Sequence, residues 1–290
     1  MEELVLESHG TKCRLKASRT LINQILNGDF LYHYIPDVKI GRLDEDVDVE
    51  LEETPDLTKK AQIEFPRAAF LPGIEFRSIV STIDYLLERV RQERHGIYCL
   101  NSATASQDGS AVTFWGGATN LGKTSSMLEL VMERGFDFYS DERTLICLNE
   151  REVVGGSRTI ANRKPVLQKK TRESGEFHVR SPAQGHKRLE LMVYPHLDHG
   201  LQQPILYQFA QKDFRWLLLR EFGVNIRGAI KYIDDYTFPL PSIDTQDLAE
   251  KRALETARFT ERVPCYYFQG SLSQVSSFVE DYFKENAKGK

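Results

Sequence analysis

The stretch that decides the fold is FWGGATNLGKT, residues 114–124. It contains a glycine, four further residues and then Gly-Lys-Thr, which is the spacing of a loop that binds phosphate groups. Such a loop turns its backbone N–H groups inward, and Gly117 and Gly122 tolerate the positive φ angles that this requires. We therefore predict a nucleotide-phosphate site whose binding residues are Gly117, Ala118, Thr119, Asn120, Leu121, Gly122, Lys123, Thr124 and Ser125.

Two side chains at the end of this loop carry the expected chemistry. Lys123 can place its ammonium group against the β- and γ-phosphates of a nucleotide. Thr124 follows at the start of a helix, where its hydroxyl is suited to ligating Mg²⁺ and the helix dipole attracts anions. A glycine-rich turn with a coincidental lysine is the alternative interpretation.

The flanking residues have the order of elements that the site requires. Asp108-Gly109 predicts the turn of a hairpin, whose second strand is the apolar, β-prone run of residues 111–115. Residues 125–134 are rich in helix formers, and Gly135 is expected to end that helix as its C′ residue. The sequence therefore predicts strand, loop and helix in succession.

Two adjacent carboxylates follow one strand later. Residues 136–140 alternate with a period of two, as in a strand, and Asp141 and Glu142 come directly after them. Near a phosphate, one carboxylate can hold Mg²⁺ and the other can accept a proton. We take Asp141, Lys123 and Glu142 as candidate catalytic residues, and Thr124, Asp141 and Glu142 as candidate metal ligands. A solvated acidic strand end is the alternative interpretation.

A resemblance to a known family is carried by residues 100–148, LNSATASQDGSAVTFWGGATNLGKTSSMLELVMERGFDFYSDERTLICL. This run resembles the HPr kinase/phosphorylase superfamily, whose members are P-loop kinases built on the phosphoenolpyruvate-carboxykinase fold. Residues 263–283 are similar in style to that family's last strand and helix. The resemblance implies an α/β protein with a P-loop kinase core that uses ATP and Mg²⁺. The pattern of residues 1–72 is mostly strand-like, so we expect a smaller, mostly β N-terminal region beside this core.

The sequence departs from the family pattern at three positions. Asn120 stands where the family often has a third loop glycine, and asparagine tolerates the left-handed backbone region better than most residues. Asn101 stands where many members have a histidine, which leaves a reverse, phosphorolytic activity undecided. Glu142 replaces a second aspartate, which keeps the charge and lengthens the reach of the side chain.

Composition limits the classes of function. The 290 residues include 38 Lys and Arg against 42 Asp and Glu, and the net charge of −4 does not indicate nucleic-acid binding. No apolar run reaches the length of a membrane span and no basic signal-peptide start is present, so we expect a cytoplasmic protein. The cysteines are scattered and predict neither a zinc site nor a disulfide framework; they are Cys13, Cys99, Cys147 and Cys265.

We predict an N-terminal accessory region at residues 1–95 and a P-loop kinase domain at residues 96–290. Within the first, residues 46–53 alternate as a strand with one acidic face, and residues 79–90 follow helical spacing. The charged side chains on the other face of this helix predict an exposed surface. They are Glu88, Arg89, Arg91, Glu93 and Arg94. The purpose of residues 1–72 is not defined by the sequence.

We also make predictions for four later stretches. Residues 151–190 are basic and could clamp a phosphate or an acidic acceptor, or form a solvated loop. Residues 195–200, PHLDHG, are expected to form a turn rather than a metal site, because His-x-x-His is not a helical spacing. Residues 204–222 are expected to be helical, and Ser271 is expected to N-cap the last helix.

Together these features predict a Mg-ATP-dependent kinase that transfers the γ-phosphoryl group to a hydroxyl group of a protein, a peptide or a small molecule. The acceptor is not defined by the sequence. The alternative is a nucleotide-binding regulatory ATPase without a phosphate acceptor. A GTP-driven switch is disfavoured because the guanine-reading Asn-Lys-x-Asp run is absent. We expect no nucleic-acid or membrane partner, and a homo-oligomer is compatible with the sequence.

Overall fold

The structure, a computed structural model, describes residues 1–117, 120–160, 183–228, 232–233 and 238–287. Across these ranges the chain is a mixed α/β protein with two large mixed β-sheets, which confirms the α/β class predicted from the sequence. No helix within them is both long and apolar enough to cross a lipid bilayer.

The chain folds into two compact units, each assembled from separated parts of the sequence. The first unit consists of Met1–Cys99, Cys147–Asn149 and Leu217–Ala257. The second unit consists of Leu100–Ile146, Glu150–Trp216 and Arg258–Lys290. The division of function between residues 1–95 and residues 96–290 stays a prediction.

The first unit is built on one sheet, whose strands are β1 Glu2–Ser8, β2 Thr11–Ala17, β3 Lys39–Ile40, β4 Val49–Glu53, β5 Ala61–Glu64 and β6 Arg67–Phe70. Their order is β3-β1-β2-β4-β6-β5. The helices that precede the second sheet are α1 Arg19–Asn27, α2 Phe30–Tyr34 and α3 Phe76–Val90, which continues as a π-helical turn over Arg91–His95. Strand β4 confirms the strand predicted over residues 46–53 for its last five residues only, and Val49 and Leu51 are buried in the core against α3.

The charged face of α3 is buried, so the prediction of an exposed surface there is wrong for its central residues. Glu88, Arg89 and Arg91 are 1%, 5% and 0% exposed. Nη2 of Arg91 donates to Oδ1 of Asp84 and to Oε2 of Glu88, at 2.9 Å in both cases. Charges are tolerated in a protein interior when they are paired in this way. The helix itself is confirmed.

The second unit is built on a larger sheet, whose strands are β7 Ile97–Gln107, β8 Ser110–Trp115, β9 Asp137–Ser140, β10 Arg143–Cys147, β11 Glu152–Gly156, β12 Lys187–Leu197, β13 Ile205–Gln208 and, near the C-terminus, β16 Cys265–Gly270. Their order is β11-β10-β7-β8-β12-β16-β13, with β9 beside β7 and β11 also paired with β12. Helices α4 Lys123–Glu133 and α7 Leu272–Ala287 cover one face. Phe114 and Val193 of the sheet belong to one apolar core with Leu130 of α4 and Val279 of α7.

The remaining elements are helices α5 Gln211–Val224 and α6 Gln246–Thr260 and the short hairpin of β14 Tyr232–Ile233 and β15 Phe238–Pro239. Boundaries between the two units fall within β7 after Cys99, within β10 before Cys147, and within helices α5 and α6. Helix α7 begins after Ser271, whose Oγ accepts from the N–H of Gln274 while its own N–H donates to Oε1 of Gln274. This reciprocal capping box confirms the predicted N-cap.

Strand directions bring several strand ends to one edge of the larger sheet. Strands β8, β12 and β16 are mutually parallel, so their carboxyl ends lie at the same edge. We call this edge, formed by Trp115, Leu197 and Gly270, the loop edge. Strand β13 runs antiparallel to β16 and starts at this edge, where Ile205 lies opposite Gln269.

One predicted element is wrong in its first part. Residues 204–222 were expected to be a single helix, but Ile205–Gln208 form strand β13 and helix α5 starts only at Gln211. The run Ile-Leu-Tyr-Gln follows Pro204 and contains β-prone residues, and β16 offers it a neighbouring strand. Pairing with a sheet outweighs the weak helix preference of so short a segment.

Candidate functional site

The predicted phosphate loop connects β8 to α4 at the loop edge. Gly122 has a φ of 97° and Asn120 a φ of 62°, so both lie in the left-handed region. The expectation that Asn120 tolerates this conformation is therefore confirmed. Ala118 and Thr119 lie outside the residues that the structure describes. Lys123 is the first residue of α4, and the positive end of the helix dipole points toward the loop.

Two glycines allow the loop to lie close to the end of β12. A Cβ atom on Gly122 would come within 2.3 Å of Cγ of Leu197. A Cβ atom on Gly116 would come within 2.7 Å of Cδ1 of Leu121 and 2.9 Å of the Tyr194 ring. Because these separations are shorter than any van der Waals contact, neither position has room for a side chain. Gly116 was not among the predicted site residues, although the Gly-Gly pair at its position was a visible signal.

Two hydrogen bonds hold the loop in place: one joins it to β12 and the other joins its two ends. The N–H of Leu197 donates to the carbonyl oxygen of Leu121 at 3.2 Å. Nζ of Lys123 donates to the carbonyl oxygen of Gly116 at 3.0 Å, so the ammonium group lies over the start of the loop. A lysine in this position can exchange a carbonyl oxygen for a phosphate oxygen without a change of the backbone.

The loop and the predicted carboxylate meet directly. Oγ1 of Thr124 donates to Oδ1 of Asp141 at 2.8 Å. Asp141 is 1% exposed, and its backbone is held on both sides. Its N–H donates to the carbonyl oxygen of Ser157 at 3.1 Å, and its carbonyl oxygen accepts from the N–H of Arg143 at 2.8 Å. The carboxylate is thus fixed by the strands that follow it.

Glu142 follows with an unusual backbone. Its φ of 63° lies in the left-handed region, which is uncommon for a residue with a side chain. Its carbonyl oxygen accepts from the N–H of Ser102 at 3.2 Å, which ties this turn to β7. The side chain of Glu142 is half-buried. Backbone strain of this kind recurs at functional sites.

The oxygen atoms at this site fit Mg²⁺. A hydroxyl and a carboxylate oxygen 2.8 Å apart are hard donors, and Mg²⁺ typically takes one or two protein oxygens together with waters and substrate phosphates. Within the described ranges, no group of three or more His, Cys, Asp and Glu side chains is arranged to hold a metal ion. A dedicated zinc or calcium cage is therefore not part of the described structure.

The basic segment predicted at 151–190 is described only at its ends. Arg158 stacks on Tyr139, with its guanidinium carbon 4.7 Å from the ring centroid. Its Nη1 donates to the carbonyl oxygens of Tyr139 at 2.7 Å and Ala183 at 3.0 Å. The residues outside the described ranges are Arg163, Lys164, Lys169, Lys170, Arg172 and Arg180. Their substrate-facing role stays a prediction.

The stretch PHLDHG forms a turn only in its second half, since Pro195, His196 and Leu197 are the last residues of β12 and the turn lies at residues 198–200. Oδ1 of Asp198 accepts from the N–H of Gly200 at 2.9 Å, and Oδ2 accepts from the side chain of Gln269 at 3.2 Å. These two hydrogen bonds, the first above all, lower the pKa of Asp198 below its usual value. They hold the carboxylate as a structural anchor, so the predicted turn is confirmed for residues 198–200, whereas residues 195–197 continue the strand instead.

In comparisons with known proteins, no family model matches the chain and no curated protein is significantly similar to it.

Proposed function

We propose that the protein is a Mg-ATP-dependent phosphotransferase of the P-loop class, similar to the HPr kinase/phosphorylase superfamily and with its phosphoenolpyruvate-carboxykinase-like core. The observation that carries the proposal is the 2.8 Å hydrogen bond from Thr124 to Asp141. It joins the hydroxyl of a Gly-Lys-Thr loop to a buried carboxylate one helix and one strand later. This pairing is the one that phosphoryl transfer needs beside a nucleotide.

Each residue of the site has a role in this reaction. The backbone N–H groups of residues 117–125 and Nζ of Lys123 bind and orient the phosphates. Thr124 and Asp141, with Glu142 as a further candidate, would hold Mg²⁺, which supplies positive charge when bound. Asp141 accepts the proton of an acceptor hydroxyl as the new O–P bond forms and the bond to the departing nucleoside diphosphate breaks.

The acceptor is a hydroxyl group of a protein, a peptide or a small alcohol. A fold of this kind does not select among them. The alternative function, a regulatory ATPase without an acceptor, shares every residue of the loop and differs only in the fate of the phosphoryl group. Transfer of label from ATP therefore separates the two.

The test uses γ-labelled ATP with Mg²⁺ and a fractionated cell extract. Asp141→Asn keeps an oxygen that can accept from Thr124 but removes the base, so we expect nucleotide binding to persist and transfer to fall by about 10²- to 10⁴-fold. Lys123→Ala is expected to weaken both nucleotide binding and phosphoryl transfer. Asp137→Asn is the matched control, because Asp137 is an exposed residue at the start of the same strand, β9.

Four outcomes are informative. Label in one fraction that disappears with both site variants supports the kinase. Tight nucleotide binding and hydrolysis with no labelled fraction supports the regulatory ATPase. Full transfer by Asp141→Asn would show that the base is a different residue, and a wild-type protein that binds no nucleotide would refute both functions.

A further inference from the structure

Strand β13 forms an apolar edge of the larger sheet. Among the described residues it is the last strand in the sheet order and pairs with β16 alone. Ile205, Leu206 and Tyr207 are 48%, 43% and 50% exposed. Proteins usually protect such edges with charges, prolines or a covering element, because an open strand pairs readily with another chain. Here the strand itself, Ile-Leu-Tyr-Gln, carries no charge.

The hydrogen-bond pattern shows which backbone groups of β13 point outward. The N–H of Phe209 donates to the carbonyl oxygen of Cys265 at 2.9 Å. Cys265 is the residue opposite Phe209 when the register, in which Gln208 lies opposite Tyr266, is continued by one residue. In an antiparallel pair, hydrogen-bonded positions alternate with non-bonded ones. Ile205 and Tyr207 therefore turn their backbone groups toward β16. Leu206 and Gln208 turn theirs away from it, toward the outer edge.

Strand β13 also lies near the phosphate loop in the sheet. It starts at the loop edge, where Ile205 lies opposite Gln269 of β16. Between β13 and the loop strand β8 lie only β16 and β12. A row of aromatic rings spans the same strands: Tyr207 stacks on Tyr267 at 5.0 Å, and Tyr267 stacks on Tyr194 at 6.3 Å. A segment bound beside β13 would thus lie on the same continuous surface as the loop.

We propose that β13 is the docking strand for the acceptor, and that the acceptor is a peptide segment that adds to the sheet as an extended strand. The proposal rests on the proposed function, because the docked chain is to carry the hydroxyl that receives the phosphoryl group. The backbone of Leu206 and Gln208 pairs with the peptide. Apolar peptide side chains lie beside Ile205 and Tyr207 on one face and beside Leu206 on the other.

A transient partner fits this strand better than a second copy of the chain. Only two residues of β13 offer outward backbone groups, so a symmetric pairing of two copies would be held by a few hydrogen bonds and about four residues a side. Stable interfaces typically involve about 20–30 residues a side. A substrate that must leave after each turnover needs only a small contact.

The strand spacing predicts where the acceptor hydroxyl lies in the peptide. A strand added outside β13 is four strand positions from β8, which is about 19 Å at about 4.8 Å per strand. An extended chain covers about 3.3–3.6 Å per residue. The modified residue is therefore expected about five or six residues beyond the docked run, on the side of the loop edge.

The test measures binding of fluorescein-labelled synthetic peptides by anisotropy, with full-length protein. The peptides alternate valine or tyrosine with lysine and end in a spacer with one serine. Leu206→Pro and Gln208→Pro each remove one outward N–H, and proline is tolerated on an edge strand when its nitrogen faces solvent. We expect each to weaken peptide binding about fivefold, and Leu206→Ala and Gln208→Ala, which keep the N–H, to have smaller effects.

Nucleotide binding by the same variants separates the two proposals. If wild type binds the peptides, the proline variants lose that binding and nucleotide binding is unchanged, the docking strand is supported. Equal peptide binding by the proline and alanine variants, or no peptide binding by wild type, overturns it and leaves the phosphotransferase proposal standing. A wild-type dimer in sedimentation that the proline variants convert to monomer also overturns it, in favour of a second copy.

Discussion

At the scale of single residues, Gly122 combines two constraints that no other amino acid meets. Its φ of 97° lies outside the region that L-residues populate readily. The space where a Cβ would lie is occupied by Leu197, with Cγ at 2.3 Å and Cδ1 at 2.4 Å. Leu197 is held in turn by its hydrogen bond to Leu121. The loop can therefore lie against β12 only because residue 122 has no Cβ atom.

Gly122→Ala is expected to destabilise the protein and to weaken nucleotide binding. The left-handed backbone alone costs roughly 1–2 kcal/mol for alanine. The overlap with Leu197 adds about 1–3 kcal/mol. Gly135→Ala is the matched control, because Gly135 has a φ of 73° but no atom lies within 4 Å of the place where its Cβ would be. Urea unfolding and nucleotide titration of both variants measure the difference.

A second substitution tests the steric part of that explanation. Leu197→Ala in the Gly122→Ala background removes the side chain that the new methyl group meets. We expect nucleotide affinity to recover in part. If the double variant binds nucleotide no better than Gly122→Ala alone, crowding by Leu197 is not the cause.

The sequence predicted the conformation of one residue of the loop, but not the contacts that support the candidate site. Asn120 was assigned a left-handed conformation because asparagine tolerates it, and its φ of 62° agrees. Glu142 adopts the same conformation without any compositional signal, because the tertiary hydrogen bond to Ser102 holds it there. Ser157, which fixes the backbone of Asp141, was also missed, since it lies after two further strands and no local pattern connects the two residues.

At the scale of secondary-structure elements, α3 carries a buried network of charges. Arg91 is paired with Asp84 and Glu88, and its Nη1 also donates to Oγ of Ser8 at 2.9 Å. All of these residues belong to the first unit. A buried pair is not a strong source of stability in itself, but removal of one partner leaves uncompensated charge in the core.

Arg91→Met is expected to lower the free energy of unfolding by about 3–5 kcal/mol. Arg94→Met is the control: Arg94 pairs with Asp48, but its side chain is 57% exposed, so a loss of only about 0–1 kcal/mol is expected. Denaturant unfolding gives both values. Adding Asp84→Asn and Glu88→Gln to Arg91→Met should restore part of the loss, and no restoration would contradict the charge explanation.

Elements with strong local signals were predicted well. The hairpin turn is an example, because Asp108 and Gly109 have φ angles of 49° and 82°, and Asp-Gly supplies this pair of positive angles. Strand β13 was taken for helix because only its partner β16 makes it a strand. The charged face of α3 was taken for surface because helical periodicity reveals which residues share a face, not whether another element covers it.

At the scale of the whole molecule, each unit contains a buried thiol, and the reactivity of that thiol can show when its own unit opens. Cys13 lies in the first unit and Cys265 in the second, and each is 1% exposed. Burial raises the pKa of both thiols above the usual value. Because the thiolate is the reactive form, burial protects these cysteines both by excluding reagents and by keeping the proton on sulfur.

In the native protein, a thiol reagent is therefore expected to modify Cys147, which is half-buried, before the other cysteines. Cys13 and Cys265 should react only when their own unit opens. Mass spectrometry of the labelled protein at increasing urea concentration gives two opening curves, one for each unit. Fast labelling of Cys265 without denaturant would contradict the packing described for the second unit.

The central position of β12 has a consequence for synthesis on the ribosome. This strand joins β8, which precedes it, to β16, which lies near the end of the chain. At about 5–20 residues per second, the ribosome needs roughly 4–15 seconds to advance from Leu197 to Gly270. During that interval one side of β12 has no partner from β16, while apolar residues such as Leu191 and Val193 are already synthesised. The nascent second unit thus passes through a period in which β12 has not yet met its later partner and in which chaperones can bind it.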